Sequence, residues 1–175
     1  MSALTPGRRD DGPVTPHDPN VQLREITNEN RAAILALSVT KSQTAYVSGV
    51  AQSLVDAAET PDARPWYRAV YADDEPVGFV MISDGITVVN PDYLGPYFLW
   101  RLLIDQSYQG RGYGAAALRL VVEHVRTRPD ARVLLTSAGQ GPESPATFYQ
   151  QQGFRLTGEV HEGELVLELD LSVSP

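Results

Sequence analysis

Residues 99–115 read Leu-Trp-Arg-Leu-Leu-Ile-Asp-Gln-Ser-Tyr-Gln-Gly-Arg-Gly-Tyr-Gly-Ala. An apolar run enters a turn in which Gly110, Gly112 and Gly114 alternate with Arg111 and Tyr113, and an amphipathic helix follows. The first N–H groups of a helix have no partner inside it and stand at the positive end of its dipole. A glycine-rich turn aims several of them at one point, and the usual occupant of such a point is an anion such as a pyrophosphate. Each glycine costs backbone entropy, so three in five residues exceed the need of one turn, and close approach of a ligand accounts for the excess.

Two familiar pyrophosphate folds fail on context. Residues 110–115 formally fit G-x-G-x-x-[GA]. A dinucleotide fold also needs an acid about 20 residues on, near the end of the next strand. That strand ends in Thr136-Ser137-Ala138, and only one further strand–helix repeat lies downstream. A nucleoside-triphosphate loop needs a lysine and a hydroxyl directly after its last glycine, and neither follows Gly112 or Gly114.

Hydrophobic periodicity supplies the elements that must hold the turn. Alternation predicts a strand over 21–26, and Thr27 or Asn28 can cap a helix running to about Val39. Val47, Val50, Ala51, Leu54 and Ala58 form one face of a second helix, which stops before Pro61. A hairpin over 66–72 and 77–83 turns at 73–76. The apolar run 97–105 reads as a central strand buried on both faces. After the glycine turn, Leu118, Val121, Val122 and Val125 share a helix face that ends near Pro129, and a short buried strand covers 132–137. Ser144 caps a last helix with Pro145 at its first position, and Gly153 stops it. An antiparallel pair over 154–160 and 164–171, turned at Glu162-Gly163, closes the chain. The order β-α-α-β-β-β-α-β-α-β-β implies an α/β fold with a mixed, mostly antiparallel sheet flanked by helices. It forms one domain over 21–173, while residues 1–20, with Pro6, Pro13, Pro16 and Pro19, read as a disordered tail.

With these elements in place, Gln109-Gly110-Arg111-Gly112-Tyr113-Gly114 resembles the Q/R-x-x-G-x-G/A signature of the GNAT superfamily of acyl-CoA-dependent N-acetyltransferases. The downstream segment Phe148-Tyr149-Gln150-Gln151-Gln152-Gly153-Phe154 strengthens the resemblance, which covers about 21–171. It implies a GNAT fold, acetyl-CoA as cosubstrate, and direct attack of an amine on the thioester. It further implies that Gln109, Gly110, Arg111, Gly112, Tyr113, Gly114 and Ala115 hold the pyrophosphate. A backbone N–H within Leu102, Leu103 and Ile104 would face the developing oxyanion, and the same segment would pair with the pantetheine arm. Tyr149 resembles the family's general acid: a phenol stays protonated at neutral pH and can donate to a departing thiolate. Glu75, Asp84, Asp105 and Glu159 are candidate bases, none favoured by spacing. Many family members carry an asparagine before the last helix, whereas Pro142 or Glu143 stands there in this chain.

Residues 66–81, 99–105 and 157–159 are similar to bacterial spermine/spermidine and diamine acetyltransferases, which implies a polyamine substrate and a wall of the amine site around 43–58. Fourteen Lys plus Arg against 22 acids give a net charge of −8, which disfavours nucleic-acid binding and suits a cationic substrate. The chain has no cysteine, which excludes disulfides, thiolate metal sites and cysteine nucleophiles. His17, His124 and His161 are scattered, so no metal site is expected. No run is long and apolar enough for a membrane span or a signal peptide, so a cytoplasmic location is expected. The resemblance allows a homodimer. Two rival functions are acetylation of another small amine, such as an amino acid or an antibiotic, and a catalytically silent acyl-CoA-binding module.

Overall fold

The computed structural model describes residues 20–172. The tail expected over 1–20, Asn20 apart, lies outside the described residues. Seven strands form one sheet in the order β1-β2-β3-β4-β5-β7-β6. They are β1 (Val21–Arg24), β2 (Pro65–Ala72), β3 (Glu75–Asp84), β4 (Tyr97–Ile104), β5 (Val133–Ala138), β6 (Arg155–His161) and β7 (Glu164–Asp170). Four α-helices, α1 (Arg31–Leu35), α2 (Val50–Glu59), α3 (Tyr113–Arg126) and α4 (Ala146–Gln151), follow the expected succession. Every neighbouring pair of strands is antiparallel except β4 and β5.

The sheet carries a core on each face. On one, α3 places Ala117, Leu118, Val121 and Val125 against Val70, Val80, Ile82 and Leu99. On the other, Ile34 of α1 and Val50 and Ala57 of α2 pack with Ala69, Phe79, Met81 and Leu103. Two bulges set which residue meets which face. Val77 is the extra residue where β3 slips against β2, so Val77 and Val80 share the α3 face although three apart. Trp100 is the extra residue where β4 slips against β3. Leu99 therefore faces α3, Trp100 packs on the α2 side, Arg101 reaches Asp56 of α2, and Leu102 returns to the α3 side. Gly78, beside the first bulge, lets β4 come close: a Cβ there would collide with the Leu103 carbonyl oxygen.

Several local expectations change, among them the following. The helix expected from Thr27 to Val39 shrinks to Arg31–Leu35, because Asn30 is the cap residue and the backbone at Ser38 is drawn away. The Ser38 N–H donates to Asp105 Oδ2 at 2.8 Å, and its carbonyl accepts from Gln106 N–H at 2.8 Å. The last helix begins at Ala146, not Pro145, and the Ser144 hydroxyl accepts from the Ala146 N–H at 3.2 Å. The hairpin turn is shorter than expected, since Glu75 and Pro76 already pair in β3.

Candidate active site

The site follows from the single parallel junction. β4 and β5 pair only at Phe98–Leu135 and Leu99–Thr136, and beyond Leu99 the strands part. A cleft of about 920 Å³ occupies the split and opens on both faces of the sheet. On the α3 face it is lined by Leu102, Ile104, the glycine turn, Phe148 and Tyr149. On the α1–α2 face it is lined by Gln43, Tyr46, Val47, Trp100 and Glu164.

The turn between β4 and α3 is held at both ends. Asp105 accepts from Ser107 N–H at 2.9 Å as well as from Ser38. Burial raises the Asp105 carboxyl, and these backbone hydrogen bonds outweigh it and hold the group below the usual carboxylate range. The Gln109 side chain donates to the Ile104 carbonyl at 2.9 Å and exchanges two amide hydrogen bonds with Gln43, at 2.9 and 3.1 Å. Gly110 and Gly112 sit at φ 75° and 81°, where a side chain is strained. Backbone conformation alone therefore requires glycine at those two positions, and a Cβ at either would meet open space. Gly112 is the left-handed cap of α3, and no side chain caps the helix. The first intrahelical bond there runs from Ala116 N–H to the Gly112 carbonyl. The N–H groups of Tyr113, Gly114 and Ala115 are thus without helical partners, and all three residues line the cleft.

Tyr149 enters from α4 with its ring between Phe148 and Phe154, at centroid distances of 5.4 and 5.5 Å. Burial pushes its phenol up to about 12; Thr136 hydrogen bonding opposes the rise and the Glu164 charge adds to it. Thr136 in turn donates to the Leu99 carbonyl at 3.1 Å, where β4 and β5 last touch. The phenol is a proton donor that never ionises near neutral pH.

Most of the expected site residues meet here. Leu102, Ile104, Gln109, Gly110, Gly112, Tyr113, Gly114, Ala115 and Tyr149 line the cleft. The side chains of Leu103 and Arg111 do not. Leu103 is buried in the α1–α2 core. Arg111 is exposed and bends back to donate to the Ser107 carbonyl at 3.2 Å. None of the four candidate bases reaches the cleft. Glu75 and Glu159 are exposed on β3 and β6, Asp105 staples the loop, and Asp84 accepts from Arg128 and His124 on the α3 face. The sequence reading missed Tyr46, Ser137 and Glu164, which single-sequence motifs do not single out. Gly139 and Gly141 were the available signal. The Tyr46 ring lies 3.1 Å from where a Cβ of Gly139 would stand, and its hydroxyl fills the Cβ position of Gly141. Glu143, Ser144 and Pro145, in the segment before the last helix, line the cleft.

A split parallel junction, an uncapped helix start beside it and a buried phenol across from it share one cleft. Residues 22–154 match the acetyltransferase (GNAT) family, and the chain belongs to it. It is an N-acetyltransferase that uses acetyl-CoA. It is 29% identical to spermine/spermidine N(1)-acetyltransferase of Bacillus subtilis (strain 168) over 153 residues, 87% of this chain and 99% of the relative. Among solved structures, aminoglycoside acetyltransferase AAC(6')-Ib in complex with coenzyme A aligns with a TM-score of 0.69 at 16% identity, covering 86% of this chain and 95% of the other. PaiA N-acetyltransferase of Thermoplasma acidophilum, in complex with coenzyme A, gives 0.60 at 10% identity, over 86% and 99%. No helix among the described residues is long and apolar enough to cross a membrane.

Proposed function

We propose that the enzyme acetylates a primary amine of a polyamine of the spermidine and spermine class. The observation that carries this reading is the charge of the cleft. Asp92, Glu143, Glu162 and Glu164 line it, against one arginine. That arginine, Arg101, is already committed to Asp56 at 3.1 Å. A long, flexible polycation gains from several separated carboxylates, whereas an amino acid brings a carboxylate that they repel. The 29% identity to a spermine/spermidine acetyltransferase points the same way.

On this reading, acetyl-CoA supplies the acetyl group as a thioester. The free N–H groups of Tyr113 to Ala115, presented by Gly110 and Gly112 and steadied by Gln109, hold its pyrophosphate. The stretch of β4 at Leu102–Ile104, unpaired on its β5 side, receives the pantetheine arm as a strand edge would, and a backbone N–H there meets the carbonyl oxygen as it gains charge. Tyr149 protonates the departing sulfur.

The test is thiol release from acetyl-CoA with spermidine, spermine, short diamines, amino acids and aminoglycosides. Turnover is expected with the polyamines, and kcat/KM is expected to fall as salt rises. Turnover confined to aminoglycosides or amino acids overturns the substrate reading. Acetyl-CoA binding with no turnover on any amine favours the silent module.

A further inference from the structure

We infer that Glu164 is the base that takes the proton from the attacking amine. This rests on the reading of the cleft as an amine acetyltransferase site, without depending on which amine is used.

Glu164 opens β7, directly after the turn at Glu162 and Gly163, and pairs across the hairpin with His161. Its Oε2 accepts a short hydrogen bond from the Ser137 hydroxyl on β5. Its Oε1 lies 3.8 Å from where a Cβ of Gly139 would stand, beside the Tyr46 ring. The carboxylate is half-buried in the wall of the cleft, held between β5 and the segment that precedes α2. Among the described residues it forms no ion pair with a lysine or arginine, so its charge is left for a cation that enters the cleft. The charged and titratable groups lining the same cleft are Asp92, Arg101, Glu143, His161 and Glu162, with Tyr46, Tyr149 and three further tyrosines. Asp92, Glu143 and Glu162 are exposed, whereas Glu164 is fixed on a strand by a hydrogen bond. A base must be held in place to be effective, and Glu164 is the cleft acid that is.

Its position relative to Tyr149 supports the assignment. The two lie close enough for the Glu164 charge to raise the phenol, yet they approach the β4–β5 split from opposite faces of the sheet. A thioester carbon in the split would have its donor on one side and its proton acceptor on the other. The amine arrives as an ammonium ion. Glu164 takes one of its protons and frees the lone pair. The C–N bond forms as the thioester C–S bond breaks. Tyr149 gives its proton to sulfur and regains one from the acylated nitrogen, and Glu164 releases its proton to solvent. Ammonium and thioester thus yield amide, thiol and one proton.

The test is Glu164→Gln, compared with wild type across pH 6.5 to 10 on the best amine that wild type accepts. A base role predicts that kcat/KM falls by about 100-fold near neutral pH. The deficit shrinks as pH rises and the amine arrives already neutral, while the Kd for acetyl-CoA stays within about twofold. Glu164→Asp should recover part of the loss. A pH-independent deficit, a deficit below about tenfold near neutral pH, or an equal loss of acetyl-CoA affinity overturns the assignment. If wild type uses no polyamine, the substrate reading fails, and Glu164 is judged on the amine that it does use.

Discussion

Replacing Tyr149 with phenylalanine removes one oxygen from the site and little else. The ring stays wedged between Phe148 and Phe154, and the lost hydroxyl leaves behind Thr136, which keeps its bond to the Leu99 carbonyl. Stability should therefore change by no more than about 1 kcal/mol. Catalysis should change far more. Positioned proton donors contribute about 10²- to 10⁴-fold, so kcat should drop by at least about 100-fold with the KM for acetyl-CoA unmoved. The phenol, raised to about 12, sits roughly 3.5 pH units above an ordinary alkyl thiol near 8.5. Simple transfer to the thiolate would then run uphill by about 5 kcal/mol. Donation becomes feasible when the acylated nitrogen, a far stronger acid, refills the phenol in the same event. Two signatures follow. The wild-type rate should show no basic limb from Tyr149 below pH 10, and the variant should recover as the amine is replaced by a better nucleophile or the thioester by one with a better leaving group. Steady-state kinetics with acetyl-CoA and an activated aryl thioester read both. If Tyr149→Phe keeps more than a tenth of the wild-type kcat on acetyl-CoA, the phenol is a packing residue and the proton reaches sulfur by another route.

Gly112→Ala should raise the Kd for acetyl-CoA by about tenfold and cost about 1–2 kcal/mol of stability, because φ is 81° at the cap of α3 and an added Cβ penalises that conformation; isothermal titration and a thermal melt separate the two effects. Burial raises the Asp84 carboxyl, but hydrogen bonds from Arg128 and His124 outweigh it and lower the group overall. The stability that this pairing contributes is complete above the unfolded carboxylate value of about 3.9 and is lost as pH falls through the lower folded value. Asp84→Asn should accordingly lower the Tm at neutral pH and flatten the acid side of the stability profile, as followed by circular dichroism.

The sequence carried the succession of elements because its signals are local. Helical spacing is one such signal, and Leu118, Val121 and Val125 of α3 all reach the core as it predicts. The positive-φ pair Glu162 and Gly163 likewise makes the tight turn that their types suggest. What stayed hidden was set by tertiary pairing. Nothing in Leu99-Trp100-Arg101-Leu102 announces a bulge, yet the extra residue sends Trp100 and Arg101 to the same side of the sheet. The apolar run of β4 suggested burial on both faces, but Trp100, Leu102 and Ile104 are only half-buried, since the cleft and not protein covers them. α1 ended early because Asp105, 67 residues downstream, captures the Ser38 backbone. The glycine turn and Tyr149 were legible because a motif fixes both. Glu164 was not, because its place depends on the β5–β7 pairing that brings Leu165 opposite Ala138.

The β4–β5 junction is what opens a cleft through a two-faced sheet. An unbroken ladder through Leu102 and Ile104 would seal the α3 face from the α1–α2 face. The glycine turn and the segment of Gln43 and Tyr46 would then never share a space. With pairing stopped at Leu99 and Thr136, both sets of residues border one cleft. The cost is a stretch of central strand whose backbone groups lack a ladder partner on one side. At its end that cost is already offset, because Gln109 satisfies the Ile104 carbonyl and is itself tied to Gln43 across the cleft. A strand-like ligand arm would satisfy the groups between. The same amide pair therefore ties the loop that presents the N–H groups to the segment before α2 on the other side of the cleft.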